Sequence, residues 1–164
     1  MNKTKQKGFS LIELLIVVTI IGIIASIAIP NLYASRRAAN EAAALAALRV
    51  INGGEITYQA TTGAGQFGTL AQLHGQRILD DVLGLAPNEK SGYRFSLTVN
   101  PTTPPTYDLT AVPTNSVGVL ATTGRRNFLT LESHVIYFSV LPAPAPTANP
   151  TTRVVTGGSP IVIY

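Results

Sequence analysis

Apolar residues are distributed very unevenly along the chain. From Leu14 to Ile29 only Thr19, Gly22 and Ser26 are not strongly apolar, and extending the run back to Phe9 gives 21 residues with one charge, Glu13. As a helix this stretch is about 31 Å long at ~1.5 Å per residue, enough to cross a bilayer. A cleaved secretory signal needs a shorter apolar core and a small-residue cleavage site. Here Pro30-Asn31-Leu32-Tyr33 follows, and Ala34 and Ser35 mimic such a site only weakly. A single membrane-spanning helix is therefore expected over 9–29.

The helical pattern continues beyond Pro30. Eight of the fourteen residues from Ala34 to Ala47 are alanine, the strongest helix former, and Ala44, Leu48, Ile51 and Tyr58 recur at helical spacing. An amphipathic second half is expected over 30–61, with a bend or fraying at Gly53-Gly54 and an end near Thr61, before Gly63-Ala64-Gly65. The whole spine would be near ~80 Å long. A head of about a hundred residues cannot cover so long a helix, so its free half needs lipid or other subunits.

Residues 62–90 read as a connector of turns and short helices. It is anchored by Leu70, Leu73, Ile78, Leu79, Val82 and Leu83 and punctuated by Gly68, Gly75, Gly84 and Pro87. Asp80-Asp81 reads as charge complementing the start of a short helix, with a calcium site the less favoured alternative. From Ser91 the period changes to two. Tyr93, Phe95, Leu97 and Val99 form one strand, Pro101, Pro104 and Pro105 a turn, and Tyr107, Leu109 and Ala111 a second strand. A loop flanked by Gly118 and Gly124 leads to a third strand at Phe128, Leu129 and Leu131. The fourth, at Val135, Tyr137 and Val140, is reached through Glu132-Ser133-His134. The expected fold class is α+β: a long N-terminal helix, kinked at Pro30, packed on an antiparallel sheet of about four strands over 91–141. The tail, 142–164, opens with four prolines between Pro142 and Pro150 and reads as a semi-rigid spacer and loose surface cover. Val154, Val155 and Ile161 to Tyr164 are the residues able to add an edge strand or to touch another subunit.

Charge changes the picture less than the net +4 suggests. Lys3, Lys5 and Lys7 sit in the first seven positions, and without them the excess falls to +1. The basicity belongs to the head of the chain. The three lysines favour a cytoplasmic amino end, although Arg36 and Arg37 beyond the span weaken the asymmetry. Arg125-Arg126 and Arg153 would be the contacts to a nucleic acid, but arginines in a loop are more often a solvated turn. With no cysteine, disulfides and thiolate metal sites are excluded. His74 and His134 stand alone, no nucleophile-elbow, zincin or phosphate-loop motif occurs, and Glu132-Ser133-His134 matches a triad in composition only. No catalysis, cofactor or metal is expected.

Lys7-Gly8-Phe9-Ser10-Leu11-Ile12-Glu13, followed by an apolar helix with Gly22 and Pro30, resembles the prepilin leader of type IV pilins and of type II secretion pseudopilins. The resemblance covers about the first fifty residues. It implies a leader, 1–8, removed after Gly8 on the cytoplasmic side by a prepilin peptidase, which also N-methylates the new terminus Phe9. It further implies a polymerisation helix over 9–29, self-association into a helical filament, an inner-membrane assembly platform and a motor ATPase. The subunit would be single-pass in the inner membrane before assembly. Afterwards it would lie in an extracellular pilus or a periplasmic pseudopilus. The sheet segments look more loosely like those of pilin-like proteins, with Leu131 and His134 where an acidic residue and a glycine are usual in the last turn. The disulfide-closed C-terminal loop of many pilins is missing, as is the acidic cluster of a major pseudopilin's calcium loop.

Glu13 has a physical task independent of the resemblance. A carboxylate at mid-bilayer costs on the order of 2.5–3.5 kcal/mol, so it persists where a cation meets it. Cleavage after Gly8 would create that cation at Phe9, and in a staggered stack the amine of one chain would meet Glu13 of the next and fix the register. The plain alternative is a carboxylate that snorkels to the headgroups. Gly22 and Pro30 loosen the helix, either for unwinding on assembly or as ordinary packing residues of a membrane helix. The function expected is a structural subunit of a type IV pilus-like filament. A pseudopilin or minor pilin of a type II secretion system is the alternative, and a membrane-anchored, non-polymerising binding domain stands behind both.

Overall fold

The computed structural model describes residues 8–116 and 122–161. Lys3, Lys5 and Lys7, Gly118 and the apolar end at 162–164 lie outside the described residues. Contacts divide the chain into two units, Met1–Ser35 and Arg36–Tyr164. Helix α1, Leu11–Ala60, is assigned without a break through Pro30 and Gly53-Gly54. Within the first unit its residues are exposed almost throughout, Ala25 and Tyr33 being half-buried.

In the second unit the buried stripe of α1 comprises Glu41, Ala44, Ala47, Leu48, Ile51, Asn52, Gly54, Glu55 and Tyr58, which follow the three- and four-residue steps of a helix face. The fraying expected at Gly53-Gly54 does not occur. A Cβ at Gly54 would come within 2.9 Å of Ile78 and 3.2 Å of Leu73, so glycine there lets the connector approach the helix closely. The connector holds two short helices, α2 (Leu70–Gly75) and α3 (Asp81–Gly84). Thr69 and Gln72 form a reciprocal capping box on α2. Asp80 caps α3 by accepting from Leu83 N at 3.0 Å, as its position at a short helix's start suggested.

Beyond them a six-stranded antiparallel sheet runs in the order β1-β2-β3-β4-β5-β8, with β6 and β7 pairing as a separate ribbon. The strands are β1 Glu89–Lys90, β2 Tyr93–Asn100, β3 Thr106–Pro113, β4 Arg126–Leu131, β5 Ile136–Val140, β6 Thr147–Ala148, β7 Val155–Thr156 and β8 Ser159–Pro160. The four strands read from the period-two pattern are β2 to β5. The extra ones are two residues long, too short to show any period. Cross-strand pairs Leu97 with Leu109, Ala111 with Phe128, and Phe128 with Phe138 set the register. Tyr93, Phe95, Tyr107, Leu109, Ala111, Phe128 and Ile136 form one core with the α1 stripe and Leu70, Leu73, Leu79 and Leu83.

The tail departs from expectation. Apart from its first residue β4 is buried along its whole length, because the tail meets the opposite face of the sheet. Asn127 Nδ2 donates to Ala143 O at 3.0 Å, Ser139 Oγ to Pro144 O at 2.6 Å, and Pro146 is fully buried. The tail's last strand, β8, pairs with β5. What read as a loose proline spacer is a fastened cover, because its carbonyls satisfy polar groups that the sheet presents.

Candidate assembly surface

The first unit presents a helix whose side chains have no cover. Phe9 is 95% exposed and Leu11 83%, and the isoleucines and valines that follow are each about half or more exposed. This helix is long and apolar enough to cross a membrane. Its neutral polar side chains bond to their own backbone: Thr19 Oγ1 donates to Leu15 O at 2.8 Å and Ser26 Oγ to Ile23 O at 2.7 Å. Both are thereby compatible with a lipid or protein surround.

Glu13 is different. Ser10 lies just before the helix, and its backbone N–H donates to Glu13 Oε2 at 2.9 Å, the backward half of a capping box. Glu13 also favours the helix N-terminus electrostatically. Its second oxygen has no hydrogen-bond partner among the described residues, and it lines a shallow apolar hollow with Phe9, Leu14, Ile16 and Val17. One cation brought into that hollow would complete the carboxylate. Gly8 and Phe9 are exposed at the chain's described beginning. Gly22 has open space where a Cβ would stand, and Pro30 lies inside the helix, where it leaves the carbonyl of Ser26 without its helical donor.

The second unit contributes a surface that the pattern reading did not single out. On the outward face of α1, Ala39, Ala42, Ala46, Val50, Gly53, Ile56 and Ala60 are exposed, with Arg49 the charged residue among them from Ala39 to Ala60. A helix face turned to water normally carries charge. The signal was present in the high alanine content, which served only as a measure of helix propensity.

The polar groups of the head are mostly spent internally. Glu41, 7% exposed, accepts from Arg125 N at 2.8 Å and from Arg126 Nε at 2.7 Å. Asn52 donates to Thr130 Oγ1 at 3.1 Å and accepts from Tyr107 Oη at 3.0 Å, bridging helix and sheet in the core. Arg153 reaches Glu132, Asp108 and the Tyr107 carbonyl. Arg126 and Arg153, considered above for nucleic acid, are thus engaged by carboxylates. His74 pairs with Asp81 at 2.8 Å. His134 takes a left-handed φ of 59° in the β4–β5 turn, closing it through a bond from its N–H to Leu131 O at 2.8 Å. It fills the role for which a glycine is usual. Glu132 accepts from Arg153 Nε at 2.7 Å.

Fold and surface together define an α+β protein with, among the described residues, one membrane-competent helix that carries an acid near its start. Residues 3–29 match the family described as the prokaryotic N-terminal methylation motif. The chain is 34% identical over 110 residues to the type IV major fimbrial protein FimA of Dichelobacter nodosus, covering 58% of this chain and 67% of that one. It is 63% identical over 35 residues to the type IV wide pilus major component PilA4 of Thermus thermophilus, covering 21% and 27%. It is 42% identical over 41 residues to the type II secretion system core protein G of Aeromonas hydrophila, covering 25% and 29%. No solved structure matches significantly. The chain belongs to the type IV pilin family.

Proposed function

We propose that this chain is the repeating structural subunit of a type IV pilus-like filament. The leader 1–8 is removed after Gly8 by a prepilin peptidase, which methylates Phe9, and subunits then join through the helix over 9–29. The observation that carries the reading is Glu13, an acid with one oxygen free on an apolar helix that nothing in its own unit covers. Buried among neighbours, it is stable when the amine of Phe9 from another copy meets it. Release of the leader supplies that amine, so assembly is coupled to processing. The outward face of α1, where Ala39, Ala42, Ala46, Gly53 and Ala60 leave room beside Arg49, Val50 and Ile56, supports the same reading, because small residues let helices approach closely.

Before assembly the subunit would sit in the inner membrane as a single-pass protein. A membrane platform and a motor ATPase would extract it. Gly22 and Pro30 bracket the stretch that would loosen on packing. A secretion pseudopilus subunit is the second reading, favoured by the similarity to core protein G. That similarity spans 41 residues, whereas the one to a major fimbrial protein spans 110 and reaches well beyond the shared helix.

Sheared filaments provide the test. Their main subunit should begin with methylated Phe9, and Glu13→Ala should insert in the membrane normally yet fail to enter filaments beside wild-type subunits. Normal filaments built wholly from the mutant would dismiss the proposed pairing, and a main subunit still carrying 1–8 would dismiss the processing.

A further inference from the structure

A second isolated carboxylate, unrelated to assembly, sits inside the head. Glu55 on α1 is fully buried. Its Oε2 accepts from Gly68 N at 2.9 Å, while its Oε1 is buried with no hydrogen-bond partner. Gly68 belongs to the loop 61–69 joining α1 to α2, and that loop is fitted tightly to the helix. A Cβ on Gly63 would stand 2.2 Å from Gln66 O, and one on Gly68 would stand 2.7 Å from Leu73 and 2.8 Å from the Tyr58 ring. Phe67 meets Tyr107 edge-on at 4.7 Å between ring centres. Glu55 is thus the side chain that grips the loop's far end, and burial without a counter-ion favours the uncharged form of its carboxyl group.

The titratable groups that face this site offer no counter-charge. Tyr58 comes from the same helix and Tyr107 from β3, whose hydroxyl is donated to Asn52 at 3.0 Å. Arg153 reaches the Tyr107 carbonyl but is held by Glu132 and Asp108. On α2, His74 pairs with Asp81, and no cation pairs with Glu55 among the described residues.

We propose that Glu55 is a proton-operated latch: protonated, it keeps the loop 61–69 closed on α1, and on ionising it lets that loop open to water. Burial pushes its carboxyl up to about 7 from an ordinary 4.5, outweighing the opposing pull of the Gly68 N–H. Opening returns the group to water and to its ordinary value. Opening is therefore favoured as pH rises from about 4.5 to about 7, by up to roughly tenfold per pH unit, and levels off above.

Hydrogen exchange of the full chain in detergent micelles, corrected for the intrinsic pH dependence of exchange, reads this directly. The opening constant of the segment 61–69 should rise by at least about tenfold between pH 5 and pH 7.5 in the wild type. It should be flat in Glu55→Gln, which keeps the acceptor for Gly68 N–H. Segments in β3 and β4 should show no matching rise. A flat wild-type profile, or the same slope in both proteins, overturns the proposal. Should Glu55→Gln not fold, the carboxyl carbon-13 shift of Glu55 in the wild type is set beside the exchange profile: a midpoint above 5 at which the rise in opening of 61–69 levels off sustains the latch, and a midpoint of 5 or below, or one that the opening does not follow, overturns it.

Discussion

Replacing Arg153 by methionine tests whether the C-terminal tail is held by an ionic clamp. Arg153, 17% exposed, gives Nε to Glu132 Oε1 at 2.7 Å and Nη2 to Glu132 Oε2 at 2.5 Å. It also gives Nη2 to the Tyr107 carbonyl at 2.8 Å, with Asp108 Oδ1 at the same distance. Hydrogen bonds to charged groups are worth about 1.5–3 kcal/mol each, and breaking a fully buried ion pair costs about 3–5. Both acids are partly in water, so we expect Arg153→Met to lose about 2–3 kcal/mol at pH 7. Most of that is the penalty of leaving Glu132 and Asp108 facing each other without a cation. Adding Glu132→Gln should therefore restore at least ~1 kcal/mol, although it removes a second charged group.

The pH dependence carries a definite sign. Burial pushes the Glu132 carboxyl up, but the hydrogen bonds and charge of Arg153, with backbone donors, outweigh it and hold the group below its ordinary 4.5. A depressed carboxyl stabilises the fold above the unfolded value and ceases to do so as pH falls through the folded one. The gap between wild type and Arg153→Met should accordingly be full at pH 7 and shrink below pH 4.5. Urea unfolding of the full chain in micelles, followed by tyrosine fluorescence, measures both. A gap under ~0.5 kcal/mol at pH 7, or one as large at pH 3, would show that the clamp does not hold the tail.

Asn52→Leu strands the Tyr107 hydroxyl and Thr130 in the core and should cost about 2–4 kcal/mol, lowering the thermal midpoint by roughly 8–15 °C; a shift under 3 °C would contradict the bridging role. Gly124→Ala would place a Cβ 2.0 Å from the Tyr93 hydroxyl, disturbing the bond that hydroxyl donates to Arg126 O. It should cost about 1–3 kcal/mol, whereas Gly53→Ala, at an exposed helical position with nothing within 4 Å, should gain up to ~1 in the same denaturation assay. Equal effects of the two would refute the packing argument.

The parts of the fold visible in the amino-acid pattern are those with a long enough period. The membrane-competent helix follows from hydropathy, and β2 through β5 follow from alternation at Tyr93, Tyr107, Phe128 and Tyr137. The β1–β2 and β6–β7 pairings are two-residue contacts too short to show a period, and the β5–β8 pairing is fixed by the tail's return to the sheet, which no local window contains. Polar residues in the alanine-rich half of α1 were equally opaque. Glu41, Asn52 and Glu55 look like ordinary solvent-facing helix residues until their partners arrive from Arg126, Thr130 and Gly68, between 13 and 85 positions away. The residues of the proposed assembly were more legible. Glu13 stands out by contrast with its surroundings, a signal that needs no three-dimensional information.

The outward side of the alanine-rich rod has a mechanical meaning. Methyl groups and glycine hydrogens would let neighbouring rods come near one another, and Arg49, Val50 and Ile56 would be the few teeth among them that resist lengthwise slip. A cable laid up from such rods would take its pitch from those few teeth and from the proposed ionic pegs at the rods' ends, with little between them to oppose gliding under tension.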